Sequence, residues 1–214
     1  VKESVEFEKV LVAVGRSPIV ESLRLENTHV KVDERGFIAV DEKCQTNDSK
    51  ILAIGDITGD PMLAHRAMYM GKVAGEVCGG LPSAYSAQVC PAVIYSDPEI
   101  AWVGTQEQDA IKMGRSVLTG MFPFSASGRS LGANRAVGFA KVVADPLSHL
   151  IMGGTLVGAH ASDMIAEITL AIEMGARLED ISGTIHPHPT YSEPILEACE
   201  DALGKCVHLP EKKK

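Results

Sequence analysis

The chain has 214 residues, 45% of them hydrophobic and 22% charged, with a formal net charge of −8. That balance suits a folded soluble protein of one large or two small domains, and its acidity, relieved only by Lys212-Lys213-Lys214 at the end, argues against a nucleic-acid partner. No apolar run reaches the ~18 residues needed to cross a bilayer, so no membrane association is expected.

Val1-Lys2-Glu3 lacks a charged-then-apolar signal pattern, and the expected location is the cytoplasm, or the mitochondrial matrix in a eukaryote. Because Val1 is not an initiator, the chain reads as the C-terminal portion of a longer gene product. Cys44, Cys78, Cys90, Cys199 and Cys206 form an odd set without C-x-x-C spacing, which points to reduced thiols rather than a disulfide framework or zinc site. No two histidines share a helical face at ligand spacing, and His29, His149 and His208 read as standing alone; the expected metal content is none.

Lys9-Val10-Leu11-Val12-Ala13-Val14-Gly15 has the pattern of a strand buried on both faces. Val30-Lys31-Val32 and Phe37-Ile38-Ala39-Val40 predict a hairpin around Asp33-Glu34-Arg35-Gly36. Ile51-Leu52-Ala53-Ile54 predicts another buried strand, followed after Gly55-Asp56 by a helix from near Met62 to Cys78 that Gly79-Gly80 stops. At such a strand-to-helix crossover a ligand can meet an acidic side chain and free helix amides, here Asp56 and the segment Met62, Leu63, Ala64 and His65. An ordinary Gly-Asp turn explains Asp56 equally well.

Leu81 to Gln88 reads as a linker, after which the pattern becomes antiparallel α+β. Strands are expected near 91–95, 100–104, 116–123, 137–144 and 149–158, with helices near 106–113, 162–174, 178–184 and 191–203. Thr105-x-x-Gln108 reads as a capping box opening the first of these helices. Met164, Ile165, Ile168 and Ile172 recur at helical spacing, as a core or subunit-interface stripe does. Pro91, Trp102 and Phe122-Pro123-Phe124 place large apolar groups at strand ends, facing either inward or a twin subunit.

In His186-Pro187-His188-Pro189-Thr190-Tyr191-Ser192-Glu193, the prolines keep the first half extended, and Thr190 is placed to begin a helix as N-cap. Helical side chains lean toward the N-terminus, so Glu193 in the first turn points back at the loop carrying His188. That is a base-and-orienter pair. Thr190-x-x-Glu193 is also a capping box, and the two readings are compatible.

Several separated motifs together resemble the flavin-dependent pyridine nucleotide-disulfide oxidoreductases, most closely members that oxidise dihydrolipoamide. They are Val14-Gly15-Arg16-Ser17-Pro18, Ala53-Ile54-Gly55-Asp56 with Met62-Leu63-Ala64-His65, Pro91-Ala92-Val93-Ile94-Tyr95 with Pro98-Glu99-Ile100-Ala101-Trp102-Val103-Gly104, and His186 to Glu193. The resemblance implies an α+β interface domain, an antiparallel sheet with helices, preceded by partial α/β FAD- and NAD-binding segments. Residues 1–20 would hold the last strand and exit turn of an NAD-binding domain, 21–87 the C-terminal part of an FAD-binding domain, 88–208 the dimerisation domain and 209–214 a tail.

It further implies a homodimer serving a 2-oxo acid dehydrogenase complex through its core or subunit-binding domain. His188 would be the acid-base steadied by Glu193, the His188-Pro189 bond would be cis, Asp56 would bond the FAD ribityl chain, and Met62 to His65 would lie against the flavin. Pro187, Tyr191 and Met70 depart from the residues usual at their positions. The C-x-x-x-x-C redox pair and both G-x-G-x-x-G loops are missing from these 214 residues, so FAD and NAD would need an upstream region for proper binding. Alternatives are a glutathione-type disulfide reductase and an isolated dimerisation module without activity.

Overall fold

A computed structural model describes residues 3–210. The chain divides between Ser86 and Ala87 into two compact units.

The first unit is loop-rich around one helix, α1 (Ala64–Cys78). Met70 and Val73 of α1 bury against Cys44, with Val40, Leu52 and Tyr85 around them. Gly80, at φ 80°, ends the helix as its amide bonds the Val77 carbonyl. The hairpin forms minimally, through one bridge between Val32 and Ile38. The two expected buried strands do not form as such. Val10, Leu11, Val12 and Val14 are 74–93% exposed and carry no strand, while Ile51–Ile54 is reduced to a bridge from Leu52 to Gln45. An extended segment becomes a strand only when neighbours take its backbone donors and acceptors, and among the described residues none pairs with residues 9–15.

The second unit is an α+β layer structure, as expected. Its strands β1 (Ala92–Ile94), β2 (Ile100–Gly104), β3 (Leu118–Pro123), β4 (Phe139–Ala144) and β5 (Ile151–Val157) make one antiparallel sheet in the order β1-β2-β5-β4-β3. Its helices are α2 (Glu107–Lys112), α3 (Gly128–Gly132), α4 (Ala161–Glu173), α5 (Leu178–Ser182) and α6 (Glu193–Ala202).

Side chains alternate across a sheet, and here register sorts them cleanly. The cross-strand row Ala101, Leu156, Ala140, Phe122 is buried, and the next inward row is Val103, Gly154, Val142, Gly120. The two glycines let helices come close: a Cβ on Gly154 would lie 2.7 Å from Ile168 of α4, and one on Gly120 only 2.0 Å from the Ala198 carbonyl of α6. The Met164, Ile165, Ile168, Ile172 stripe belongs to this core, as do Phe122 and Phe124. Trp102 belongs to the alternate row with Thr155 and Lys141, at an open depression of about 420 Å³.

The Thr105–Gln108 capping box is absent. The N-cap of α2 is Gln106, whose amide instead bonds the Val103 carbonyl at 3.1 Å, and the Thr105 amide is taken by the Met152 carbonyl at 2.8 Å. Helix α3 was not expected from the sequence, because Gly128 and Gly132 are poor helix formers. Its N-cap, Ser127, accepts from the Ser130 amide at 3.3 Å.

Candidate active site

His188 and Glu193 meet where the loop 183–192 joins α6. Helix α6 packs across β3 and β4 through Ile195, Ala198 and Cys199, and Asp201 accepts from the Met121 amide of edge strand β3 at 2.9 Å. The helix is thereby fixed along its length. It begins at Glu193, with Pro194 in the first turn, where a missing amide proton costs nothing.

Glu193 uses both carboxylate oxygens. Oε1 lies 2.7 Å from His188 Nδ1, and Oε2 accepts from the Thr190 amide at 2.7 Å. Thr190 is not the N-cap that its sequence suggests: the helix starts three residues later, after Ser192. Its hydroxyl donates to the Pro187 carbonyl at 2.8 Å and lies 3.0 Å from the Ser192 hydroxyl, so Thr190 tightens the loop instead. The His188-Pro189 peptide is cis.

An ionised carboxylate can only accept, so Nδ1 of His188 carries a proton, and in the neutral ring Nε2 then keeps its lone pair. The His188 side chain is 76% exposed while Glu193 is 22% exposed, the arrangement of a base offered to an incoming donor and steadied from below. A cavity of about 170 Å³ adjoins it, lined by Phe122, Ser127, Gly128, Glu193, Glu197 and His208 among others. No shape change is needed for a proton donor to reach it.

Three histidine–glutamate pairings in this unit were not visible in the sequence. Glu197, one helical turn after Glu193, lies 2.6 Å from His208 Nδ1 and accepts from the Cys206 thiol at 3.1 Å. Burial, reinforced by that hydrogen bond to Glu197, pushes Cys206 up to about 11. It is therefore a poor nucleophile near neutrality. His186, two residues before His188, bonds Glu167 of α4. His149 is likewise not alone, lying 2.5 Å from Glu179, whose carboxyl the imidazole holds below the ordinary carboxylate value. Separations of 11, 19 and 30 residues leave no local signal.

The five residues read as flavin contacts lie in the first unit. Asp56 is in a single 3-10 turn (Gly55–Thr58), half-exposed, and Arg16 Nη1 lies 3.4 Å from both its Oδ2 and the Met62 carbonyl, which joins the two motifs. Leu63 is the N-cap of α1 and makes no side-chain cap, Ala64 opens the helix, and His65 is exposed one residue on. An acidic acceptor beside an uncapped helix start fits a polyhydroxyl chain carrying phosphate. Among the described residues no three His, Cys, Asp or Glu side chains converge for a metal ion, and no helix is long and apolar enough to cross a membrane.

Comparison with known proteins places similarity in both units. Residues 90–199 match the dimerisation domain of pyridine nucleotide-disulphide oxidoreductases, and residues 1–71 match a second pyridine nucleotide-disulphide oxidoreductase model. The chain is 48% identical over 202 residues to the dihydrolipoyl dehydrogenase of Haloferax volcanii, covering 94% of this chain and 42% of that protein. It is 47% identical over 207 residues to that of Geobacillus stearothermophilus, covering 97% and 44%. The chain thus spans less than half the length of these relatives.

Among solved structures, LpdA from Mycobacterium tuberculosis superposes with a TM-score of 0.79 at 26% identity, over 86% of this chain and 40% of that one. The HOCl-induced flavoprotein disulfide reductase RclA from Escherichia coli, at 24% identity and a TM-score of 0.82 over 88% of this chain and 44% of its own, shares the fold. With the matched dimerisation model covering just over half of its residues, the chain belongs to the pyridine nucleotide-disulphide oxidoreductase family.

Proposed function

We propose that the chain forms the carboxyl-terminal part of a dihydrolipoyl dehydrogenase, supplying the acid-base pair and the surface through which two copies associate. The observation that carries this reading is the Nδ1 bond from His188 to Glu193, which leaves Nε2 as an exposed base. In this reading residues 1–20 end an NAD-binding domain, 21–87 complete an FAD-binding domain, and 88–208 form the interface domain.

Nε2 of His188 takes the proton of one dihydrolipoamide thiol. The thiolate attacks a sulfur of the redox disulfide, which this chain lacks, and that S–S bond breaks as a mixed disulfide forms. The second substrate thiol, deprotonated in turn, displaces the mixed bond, so the substrate leaves as oxidised lipoamide and the disulfide is left as two thiols. FAD, when bound, relays those two electrons to NAD. Asp56 would hold ribityl hydroxyls, with the backbone of Met62, Leu63, Ala64 and His65 along the flavin.

Exposed Tyr95, Leu170, Met174 and Ile185 of the second unit, 62–96% accessible, supply apolar area for a homodimer. A 2-oxo acid dehydrogenase complex, through its core or subunit-binding domain, is the larger partner that the motif resemblance implies. The test is to assay the parent protein, with its flavin and disulfide segments, on dihydrolipoamide with NAD and on glutathione disulfide with reduced nicotinamide. Turnover of the first and not the second is expected; the reverse preference would replace this assignment with a glutathione-type reductase.

A further inference from the structure

His186 is two residues before the proposed base, and its ring is 6% exposed, against 76% for His188. Both ring nitrogens are engaged. Nδ1 lies 2.9 Å from the Thr184 carbonyl of its own loop, and Nε2 lies 2.8 Å from Oε1 of Glu167 on α4. A carbonyl can only accept, so Nδ1 must donate to it, and the Nε2 contact needs a proton on the line between ring and carboxylate. Glu167 lies on a helix whose stripe of Met164, Ile165, Ile168 and Ile172 is embedded in the core. The ring is therefore tied to a helix packed into the core of this unit.

His188 has no such burial. Its ring bonds Glu193 on one side, and its Cε1 lies just under 4 Å from where Gly128 would carry a side chain. Its placement depends on where the backbone leaves His186, with the φ of Pro187 fixed between them. We propose that Glu167 is a positioning residue for His188: through His186 it anchors the upstream end of the loop whose downstream end Glu193 holds.

This rests on the reading of His188 as the base, and the two can fail separately. Glu167→Ala cuts the tether. Glu167→Gln keeps it, because the amide can donate to Nε2 while Nδ1 still donates to Thr184. In the parent protein, Glu167→Ala should lower lipoamide turnover by about 10- to 10²-fold with the substrate KM little changed, the loss expected when a reacting group is misplaced by about an ångström. Glu167→Gln should restore most of it.

Proton NMR of the chain gives a readout independent of activity: nuclear Overhauser contacts between the His186 ring and the side chain at position 167 and its neighbours on α4, kept in Glu167→Gln and lost in Glu167→Ala. Should Glu167→Ala fail to fold, His186→Asn makes the same cut from the other side. Full turnover in the tether-cut variant, or equal impairment of the Ala and Gln variants, would overturn the proposal. If His188→Gln abolishes turnover while Glu167→Ala leaves it intact, the base stands and the tether falls. If His188→Gln leaves turnover intact, the base falls while the ring contacts still report the tether.

Discussion

Glu193 binds the imidazole of His188 and the amide of Thr190 at the same distance, 2.7 Å, with a different oxygen for each. A loop tie and an orienter are one side chain here.

The dual role makes Glu193→Gln informative. Its amide oxygen can still take the Thr190 amide proton, but then its NH2 faces Nδ1 of His188 and can only donate. The ring proton must shift to Nε2, which no longer has a lone pair for a thiol proton. Turnover in the parent protein should fall by about 10²-fold or more. Thermal stability should change little, and nitrogen NMR of His188 should show the tautomer exchanged. An unaltered tautomer would contradict this.

Gly120 sits on β3 beneath α6, and an added methyl would meet the Ala198 oxygen at 2.0 Å and the Ala202 nitrogen at 2.4 Å. Both are backbone, so the helix itself must move. Gly120→Ala should cost about 1–3 kcal/mol, as overpacking does, and should loosen the site because Glu193 and Glu197 ride on that helix. Urea unfolding measures the first effect, and loss of the Glu193-bonded His188 ring proton signal the second.

Alkali should unfold the second unit earlier than ordinary thiols would allow. Burial raises Cys199 far above its usual 9.0, and burial with the Glu197 contact raises Cys206 to about 11. Both hold their protons in the folded state after unfolded thiols have released theirs. Their contribution to stability is therefore complete below about pH 9 and is lost as pH rises, that of Cys206 through about 11 and that of Cys199 further into alkali. The urea midpoint should drop across that window, and a Cys199→Ser, Cys206→Ser double variant should show a shallower slope.

Much of the second unit was legible because its signals are local. All five strands fall where the sequence pattern placed them, and the Met/Ile stripe and the proline-flanked loop marked α4 and α6. The contact between His188 and Glu193 was legible for the same reason, five residues being one loop and one turn. The misreadings have physical causes. Residues 9–15 carry a buried strand's composition, yet pairing decides whether a strand exists. Thr105 and Thr190 had cap spacing, but Met152 and the loop hydrogen bonds claimed them. The His186–Glu167 and His208–Glu197 pairs form only once α4 and α6 are laid on the sheet.

Self-association should be visible in the chain itself. With Tyr95 79% and Ile185 96% exposed, light scattering at micromolar concentration should give twice the monomer mass. A strict monomer would remove the interface role.

The base assignment is tested most directly by His188→Gln in the parent protein, followed by steady-state oxidation of dihydrolipoamide with FAD content and dimer mass checked. Turnover about 10²-fold or more below the unaltered protein, with the flavin retained, is the expected result. Wild-type turnover would mean that the imidazole held by Glu193 takes no proton from substrate.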